Sequence, residues 1–431
     1  MNQNNLCKSN KTVFIILAIY TVLLVAFTIL NYDFLIISDD TESYVSVAEN
    51  LIAGKGFANA EGLPDGFRTP GYPLFIAAVL LLGGNVLAVV IVQLILCVGA
   101  LYLTYRTCII TGLSEKYALV CTGLFLLDLS LYIYSATAIS DAFFYFVLVV
   151  CAYFLAKFTK TKKFIHLVLF FIALNFALSV RPILMYYNGL VCIFILVLFF
   201  FKKASIKSLL VSVLAFALVF GGWSLRNYVQ NGVFEMSYVR NYNMTQYDGA
   251  VLRSELEGIT LNEARDAFDR EFSELHSKEE LEGLSRSQII KMKSEVGNGY
   301  IKAHFFDYLK QNVKGLFNTM FGTNRSFLND SIGSPLIITL IELCYLAFLF
   351  AVYALYVMGW IFNFKKANAL DLFIFTVSGY CAAASASLGY ARFRVAFFGL
   401  ILLGAFLLWK DKDIISTFKE FLKRKNNKKA A

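Results

Sequence analysis

SDDTESYVSVAENLIAGKGF, residues 38 to 57, is the stretch on which the reading of this chain turns. It follows a long apolar run and is answered by ANAEGLPDGFRTPGYPLF, residues 58 to 75, which holds three of the five prolines, Pro64, Pro70 and Pro73. Tyr44, Val47, Ala48 and Leu51 fall at i, i+3, i+4 and i+7. That spacing predicts a short helix lying along a bilayer surface, stopped at Gly54. Asp39 with Glu42 three residues later fits an N-cap with a reciprocal partner. Asp40 is then left over at the membrane face, where a partly desolvated carboxylate is a candidate general base. The plainer alternative is a charge that favours a helix N-terminus. The proline-fixed return would hold Arg68 and Tyr72 near the aspartates, or would simply anchor a loop ahead of a membrane helix.

Composition sets the class. Of 431 residues, 58% are hydrophobic and only 16% charged, with a mean hydropathy of +0.64, more apolar than a soluble core requires. Apolar runs of about 18 to 25 residues recur, each long enough to cross a hydrocarbon core of roughly 30 Å. The net charge of +9 lies in short clusters at the ends of those runs and not on one face, so it orients the chain and excludes a nucleic-acid partner. By the positive-inside rule, Lys8 and Lys11, Arg106 and Lys116, Lys157 to Lys163, Lys202 to Lys207, Lys365 and Lys366, and Lys423 to Lys429 are cytoplasmic. Both termini then face the cytoplasm. The eight cysteines avoid the long polar segment, which argues against a disulfide framework, and His166, His276 and His304 are too scattered for a zinc site.

The expected architecture is an all-α polytopic membrane protein with about ten transmembrane helices, near 13–30, 85–106, 117–134, 141–158, 164–180, 183–201, 205–222, 335–361, 370–389 and 395–410. Tyr72 to Gly84 is apolar but too short to cross, and reads as a re-entrant or interfacial helix. Two long extracytoplasmic segments stand out: the first loop (31–70) and a mixed-charge, helix-patterned stretch that forms an extracytoplasmic helical subdomain. Three regions follow: 1–222, carrying the first loop; 223–334, the long loop; and 335–431, the last spans and the basic tail. Asp128 and Glu342 fall inside spans, where ionisable groups are costly and line cavities or are neutralised in packing. The tyrosine-rich run Ser237 to Tyr247 offers rings that could stack on sugars.

Asp40, Tyr44, Ala48, Asn50 and Leu51, then GKGF (54–57) and RTPGYPLF (68–75), resemble the first outer loop of the C-type-fold membrane glycosyltransferases, the superfamily of protein O-mannosyltransferases and aminoarabinose transferases. SDAFFYFVLVV (140–150), LSVRP (178–182), WSLRNYVQNGVF (223–234) and ARFR (391–394) agree with its later landmarks in order. The resemblance implies that Asp40 is the catalytic carboxylate, with Asp39 beside it, and that Asp141 is the second acidic position. Thr41 stands where many members carry a glutamate, which leaves the metal open: no cofactor is certain, and a divalent cation is the candidate.

The implied reaction moves a sugar from a polyprenyl-phosphate donor to a glycan, lipid or protein hydroxyl, with inversion, at the extracytoplasmic face of a bacterial plasma membrane. Membrane lipids are further expected partners. Transfer through an oxocarbenium-like state needs a base for the acceptor and cations for the departing phosphate. Arg392, Arg394, Arg181 and Arg226 are the candidate phosphate ligands, since guanidinium matches phosphate bidentately. Any one of them could instead be an arginine snorkelling at a span end. Arg68, Tyr44 and Tyr72 are candidate substrate contacts. A surface-polysaccharide polymerase or ligase is the nearest alternative, and a lipid-linked sugar flippase or transporter the alternative of a different class.

Overall fold

The structure, a computed structural model, describes the backbone of residues 3–410 and the side chains of 11–410 except those of 34, 35 and 39. The basic cluster Lys423 to Lys429 and the side chain of Asp39 therefore lie outside the described residues. The chain is a helical, polytopic membrane protein.

The expected spans are helical over most of their lengths, but 117–134 is broken at Asp128 and 370–389 is helical only as far as Ala384. The first is α1 (Gln3–Leu30); the first loop supplies α2 (Asp39–Ile52) and α3 (Gly71–Leu81); α4 (Val86–Ile110) follows. Next come α5 (Glu115–Leu124), α6 (Leu129–Ser135), α7 (Ser140–Thr161) and α8 (Phe164–Val180). After these, α9 (Met185–Phe200) and α10 (Ile206–Phe216) lead through a π-helical turn into α11 (Gly222–Asn231). Among the described residues, seven helices are long and apolar enough to cross a membrane, and an eighth crossing results if a pair bent by 64° at Asp128 counts as one. The segments at 164–180 and 369–384 are apolar but shorter. The 11 residues of α3 reach only about 16 Å at 1.5 Å per residue, in keeping with a helix that does not cross.

The cap of α2 differs from expectation. Ser38, not Asp39, is the N-cap residue, and Thr41 supplies the reciprocal bond: its Oγ1 accepts from the Ser38 amide at 2.9 Å. The helix begins one residue earlier than the Asp39–Glu42 pairing requires. Its apolar face also finds protein and not lipid. Tyr44, Val47 and Ala48 are buried, with α3 packed alongside α2. Gly54, at φ +74°, ends the helix as expected.

The long loop builds α12 (Gly249–Glu257), α13 (Leu261–Leu275), α14 (Arg286–Ala303) and α15 (Phe305–Phe321). Thr260 with Glu263 and Ser285 with Gln288 form capping boxes that start α13 and α14, and Ala250, Ala264 and Phe268 make a small core of their own. The described residues close with α16 (Pro335–Asn363), α17 (Ala369–Ala384) and α18 (Val395–Leu408). Most of α7 and nearly all of α18 are buried, so these two helices lie at the centre of the bundle.

Gly315 of α15 fixes how the long loop meets the last spans. A Cβ there would sit 1.8 Å from the Ala386 carbonyl oxygen, a clash with backbone that no rotamer relieves. Gly315→Ala should destabilise the protein by about 1–3 kcal/mol, the range for overpacking, or displace the 385–394 segment. Thermal unfolding of the purified variant checks this; an unchanged midpoint would contradict the contact.

Candidate functional site

Five charged side chains from four separate parts of the chain meet at one end of the bundle. Asp40 lies in the first turn of α2, where the helix dipole favours a carboxylate. Its Oδ1 accepts from Arg68 Nη2 at 2.7 Å and its Oδ2 from Arg392 Nη1 at 2.7 Å. Arg392 Nε donates to Asp141 Oδ2 at 2.9 Å, and Asp141 Oδ1 accepts from Arg181. The result is an unbroken alternation, Arg68–Asp40–Arg392–Asp141–Arg181, with three cations and two anions. Asp141 is 0% exposed, whereas the Asp40 side chain remains 34% exposed. Asp40 is thus the carboxylate that an incoming molecule can reach.

Arg68 is held on three sides. Ser43 Oγ accepts from its Nε at 2.9 Å and from its Nη2 at 2.5 Å while donating to the Asp40 carbonyl at 2.8 Å. The guanidinium lies 4.0 Å from the Tyr44 ring centroid and 4.8 Å from that of Phe67, within cation–π range. Sequence reasoning missed Ser43, although its position three residues after Asp40 puts both on one helical face. It also missed Ser140, whose Oγ lies 3.1 Å from the Tyr44 hydroxyl.

Burial pushes the Asp40 carboxyl up, but Arg68 and Arg392 outweigh it and hold the group well below the usual carboxylate range. The desolvation that made Asp40 a candidate base is present; its effect is reversed by the two arginines.

Tyr72 is not placed to touch a substrate. It is fully buried, its hydroxyl donates to Gln93, and Gln93 Nε2 donates onward to the Thr137 carbonyl at 2.8 Å. Tyr72 supports Tyr44 from beneath, edge-on at 4.9 Å. Arg226 stands outside the cluster. Its Nη2 donates to the Phe57 carbonyl at 2.6 Å and its Nη1 to that of Asp65, so it pins the first-loop backbone. Arg394 is 0% exposed. It donates to the Thr319 and Met320 carbonyls, to Ser130 Oγ and to the Tyr345 hydroxyl. Tyr345 in turn bonds Asp128 at 2.9 Å. Arg394 and Asp128 therefore belong to a buried packing network, and of the four arginines proposed for phosphate only Arg392 and Arg181 stand in the cluster.

The tyrosine-rich run closes over the return segment. Tyr238 N–H donates to the Gly66 carbonyl at 3.1 Å, Ser237 Oγ to the Phe67 carbonyl, and Phe67 packs on Tyr238 and Tyr242 at 5.3 and 5.5 Å. Asp248, which follows the run directly, is buried with Oδ1 unpartnered. Burial pushes its carboxyl up to about 6, against a bond from Ser387 and the charge of Arg240. A folded state that holds its proton more tightly than the unfolded chain loses stability as pH rises between the two pKa values. The loss should run from about pH 4 to above 6 and reach on the order of 3 kcal/mol. Asp248→Asn should remove that fall, so that its unfolding temperature exceeds wild type at pH 7 and converges with it near pH 4. Parallel melting curves across that range would contradict the assignment.

Among the described residues no group of three or more His, Cys, Asp or Glu side chains is arranged to hold a metal ion. Asp40 and Asp141 are separated by the Arg392 guanidinium, and each of their oxygens already accepts from an arginine. This donor set, as arranged, does not fit a divalent cation.

Residues 73–240 match the family model described as dolichyl-phosphate-mannose-protein mannosyltransferase. The chain resembles a membrane glycosyltransferase family. The match takes in Tyr72's neighbour Pro73, all of α7 with Asp141, Arg181 and the start of the long loop, and leaves Asp40 and Arg392 outside it. A search of curated proteins finds no sequence match. Among solved structures, archaeal oligosaccharyltransferase AglB from Archaeoglobus fulgidus, in complex with an inhibitory peptide and a dolichol-phosphate, is similar at a TM-score of 0.48 and 15% identity, over 96% of this chain and 51% of that one. ArnT from Cupriavidus metallidurans bound to undecaprenyl phosphate is similar at 0.42 and 12%, over 90% and 77%. Its apo state gives 0.39 and 11%, over 91% and 77%. This chain spans about half the length of the AglB chain.

Proposed function

We propose that this protein is an integral membrane glycosyltransferase that moves a sugar from a polyprenyl-phosphate donor to an acceptor hydroxyl at the extracytoplasmic face, with inversion and with Asp40 as the general base. The observation that carries the reading is the alternating charge chain. It sets one reachable carboxylate between two guanidinium groups, with a further arginine behind, and its net positive charge suits an anionic phosphate.

The donor phosphate competes with the carboxylates for Arg392 and Arg181, because both ligands match guanidinium in the same bidentate way. As Arg392 turns to the phosphate, Asp40 loses one of the two cations that hold its pKa down and becomes a stronger base at the moment the donor is in place. The acceptor oxygen forms its bond to the anomeric carbon, the carbon–oxygen bond to phosphate breaks, and the electron pair leaves with the phosphate onto the arginines. The acceptor proton passes to Asp40.

The test supplies purified protein in lipid discs with a panel of undecaprenyl-phosphate sugars and follows release of undecaprenyl phosphate, with the anomeric configuration of the product read by NMR. Release with an inverted product is expected. Failure to consume any of the donors, or a product of retained configuration, would overturn the reading.

A further inference from the structure

A groove of about 400 Å³ lies outside the charge cluster, between α15 and α16. Its apolar wall is Phe317 and Phe321 from α15 with Leu343 and Leu346 from α16. These continue two exposed apolar surfaces. On α15, Phe306, Leu309, Val313 and Phe317 are each more than half exposed at i, i+3 and i+4 spacing, while Gln311, Gly315 and Thr319 are buried behind them. On α16, Leu336, Leu340 and Leu343 are exposed in the same way. A helix with such a stripe beside a membrane-length span suits contact with lipid, which would put acyl chains at the mouth of the groove.

Its other wall is polar. Glu342 accepts from Thr323 Oγ1 at 2.5 Å and from Arg325 Nη1 at 3.0 Å, and Asn318 and Thr339 complete the rim. The carboxylate is 11% exposed and the guanidinium 64%. One anion and one cation cancel, so this wall lacks the positive surplus that a bare phosphate head requires. Carboxylate, hydroxyl, amide and guanidinium together offer both donors and acceptors, the set that matches a polyhydroxylated head. The groove borders the segment that carries Arg392, since Gly322 on its lining abuts Ala391, the residue before it.

We infer that the groove between α15 and α16 binds a lipid with a hydroxylated, sugar-like head, which is the acceptor of the transfer. This rests on the proposed glycosyltransferase reading and narrows its acceptor to one carried by a lipid. The donor phosphate goes to Arg392 and Arg181, and the acceptor is held in the electrically neutral groove that borders the same segment.

The experiment titrates the full chain in detergent with glucosyl-diacylglycerol, phosphatidylcholine or undecaprenyl phosphate and counts retained lipid by native mass spectrometry. Wild type should retain glucosyl-diacylglycerol at least tenfold better than phosphatidylcholine. Leu343→Trp, which fills the groove from its lipid-exposed side, should lose that retention tenfold and keep undecaprenyl phosphate, while Leu343→Met should behave as wild type. Equal retention of the two diacyl lipids by wild type, or an unchanged Leu343→Trp, would overturn the inference. Selective loss of undecaprenyl phosphate by Leu343→Trp would overturn it as well, by making this the donor groove. Because retention is read without turnover, a protein that binds the glycolipid here but transfers no sugar would sink the transferase reading alone.

Discussion

Asp40→Asn should lower sugar transfer by about 10²- to 10⁴-fold, the contribution usual for a positioned general base, while the donor binds at least as well as to wild type. Asparagine keeps the shape of the side chain and removes its charge. Arg68 and Arg392 then lose the carboxylate they share, and a phosphate meets less competition for Arg392. The signature is therefore a fallen kcat with an unchanged or lower KM for the donor, and wild-type-like turnover would sink the mechanism. The pH dependence gives a second reading. With Arg68 and Arg392 holding the Asp40 carboxyl well below its usual range, kcat/KM, which reports the free enzyme, should show no acidic limb from this group above about pH 4. The kcat profile reports the donor complex, in which Arg392 has turned to phosphate, and its acidic limb should lie at higher pH. The stability that Asp40 contributes by the same pairing is present above its unfolded pKa of about 4 and is lost as pH falls through the lower folded value. Melting temperatures of wild type and Asp40→Asn should thus differ by a constant amount across neutral pH.

How far the sequence carried this site can be followed residue by residue. Asp40 and Arg68 were legible because the helical face, the glycine stop and the proline-fixed return are local features, each readable within a few residues. The cap was misplaced by one position, since Ser38 with Thr41 and Asp39 with Glu42 offer the same four-residue pattern and only backbone geometry separates them. Tyr44 was set against lipid because an apolar face shows that it is buried and not by what. Arg392 and Arg394 could not be told apart in ARFR. A tight 3-10 turn over Ala391–Arg394 sends one to Asp40 and Asp141 and the other into the Ser130–Tyr345 network. Asp128 was read inside a single span, 117–134, yet it accepts from Leu131 N–H as the N-cap of α6, at the point where the helical path bends. The charge cluster as a whole joins residues up to 352 positions apart, a pairing that no local pattern encodes.

Arg392→Ala should be the second severe variant, and it differs from Arg394→Ala in kind. Removing Arg392 takes away the group that joins Asp40 to Asp141 and, in the proposed mechanism, the cation that first meets the departing phosphate. Loss of one such donor costs about 10²- to 10³-fold in kcat in enzymes that stabilise a developing anion, and donor affinity should fall with it. The structural cost is limited, because Asp141 keeps Arg181 and Asp40 keeps Arg68. Arg392→Lys should recover only part of the activity, since an ammonium cannot span both carboxylates as the planar fork does. Arg394→Ala presents the opposite balance. That guanidinium is wholly buried, and its loss strips partners from the Thr319 and Met320 carbonyls and a compensating charge from beside Asp128. Leaving two buried carbonyls without their donor costs about 1–3 kcal/mol each, and the loss of a charge near Asp128 adds to it. Arg394→Ala should lower the melting temperature and yield far more than Arg392→Ala does, while whatever folds keeps a near-normal donor KM. The two variants, compared by thermal unfolding and by KM, separate a phosphate ligand from a packing residue two positions away. A normal KM and kcat in Arg392→Ala would remove Arg392 from the proposed chemistry and leave the alternating cluster as an element of folding alone.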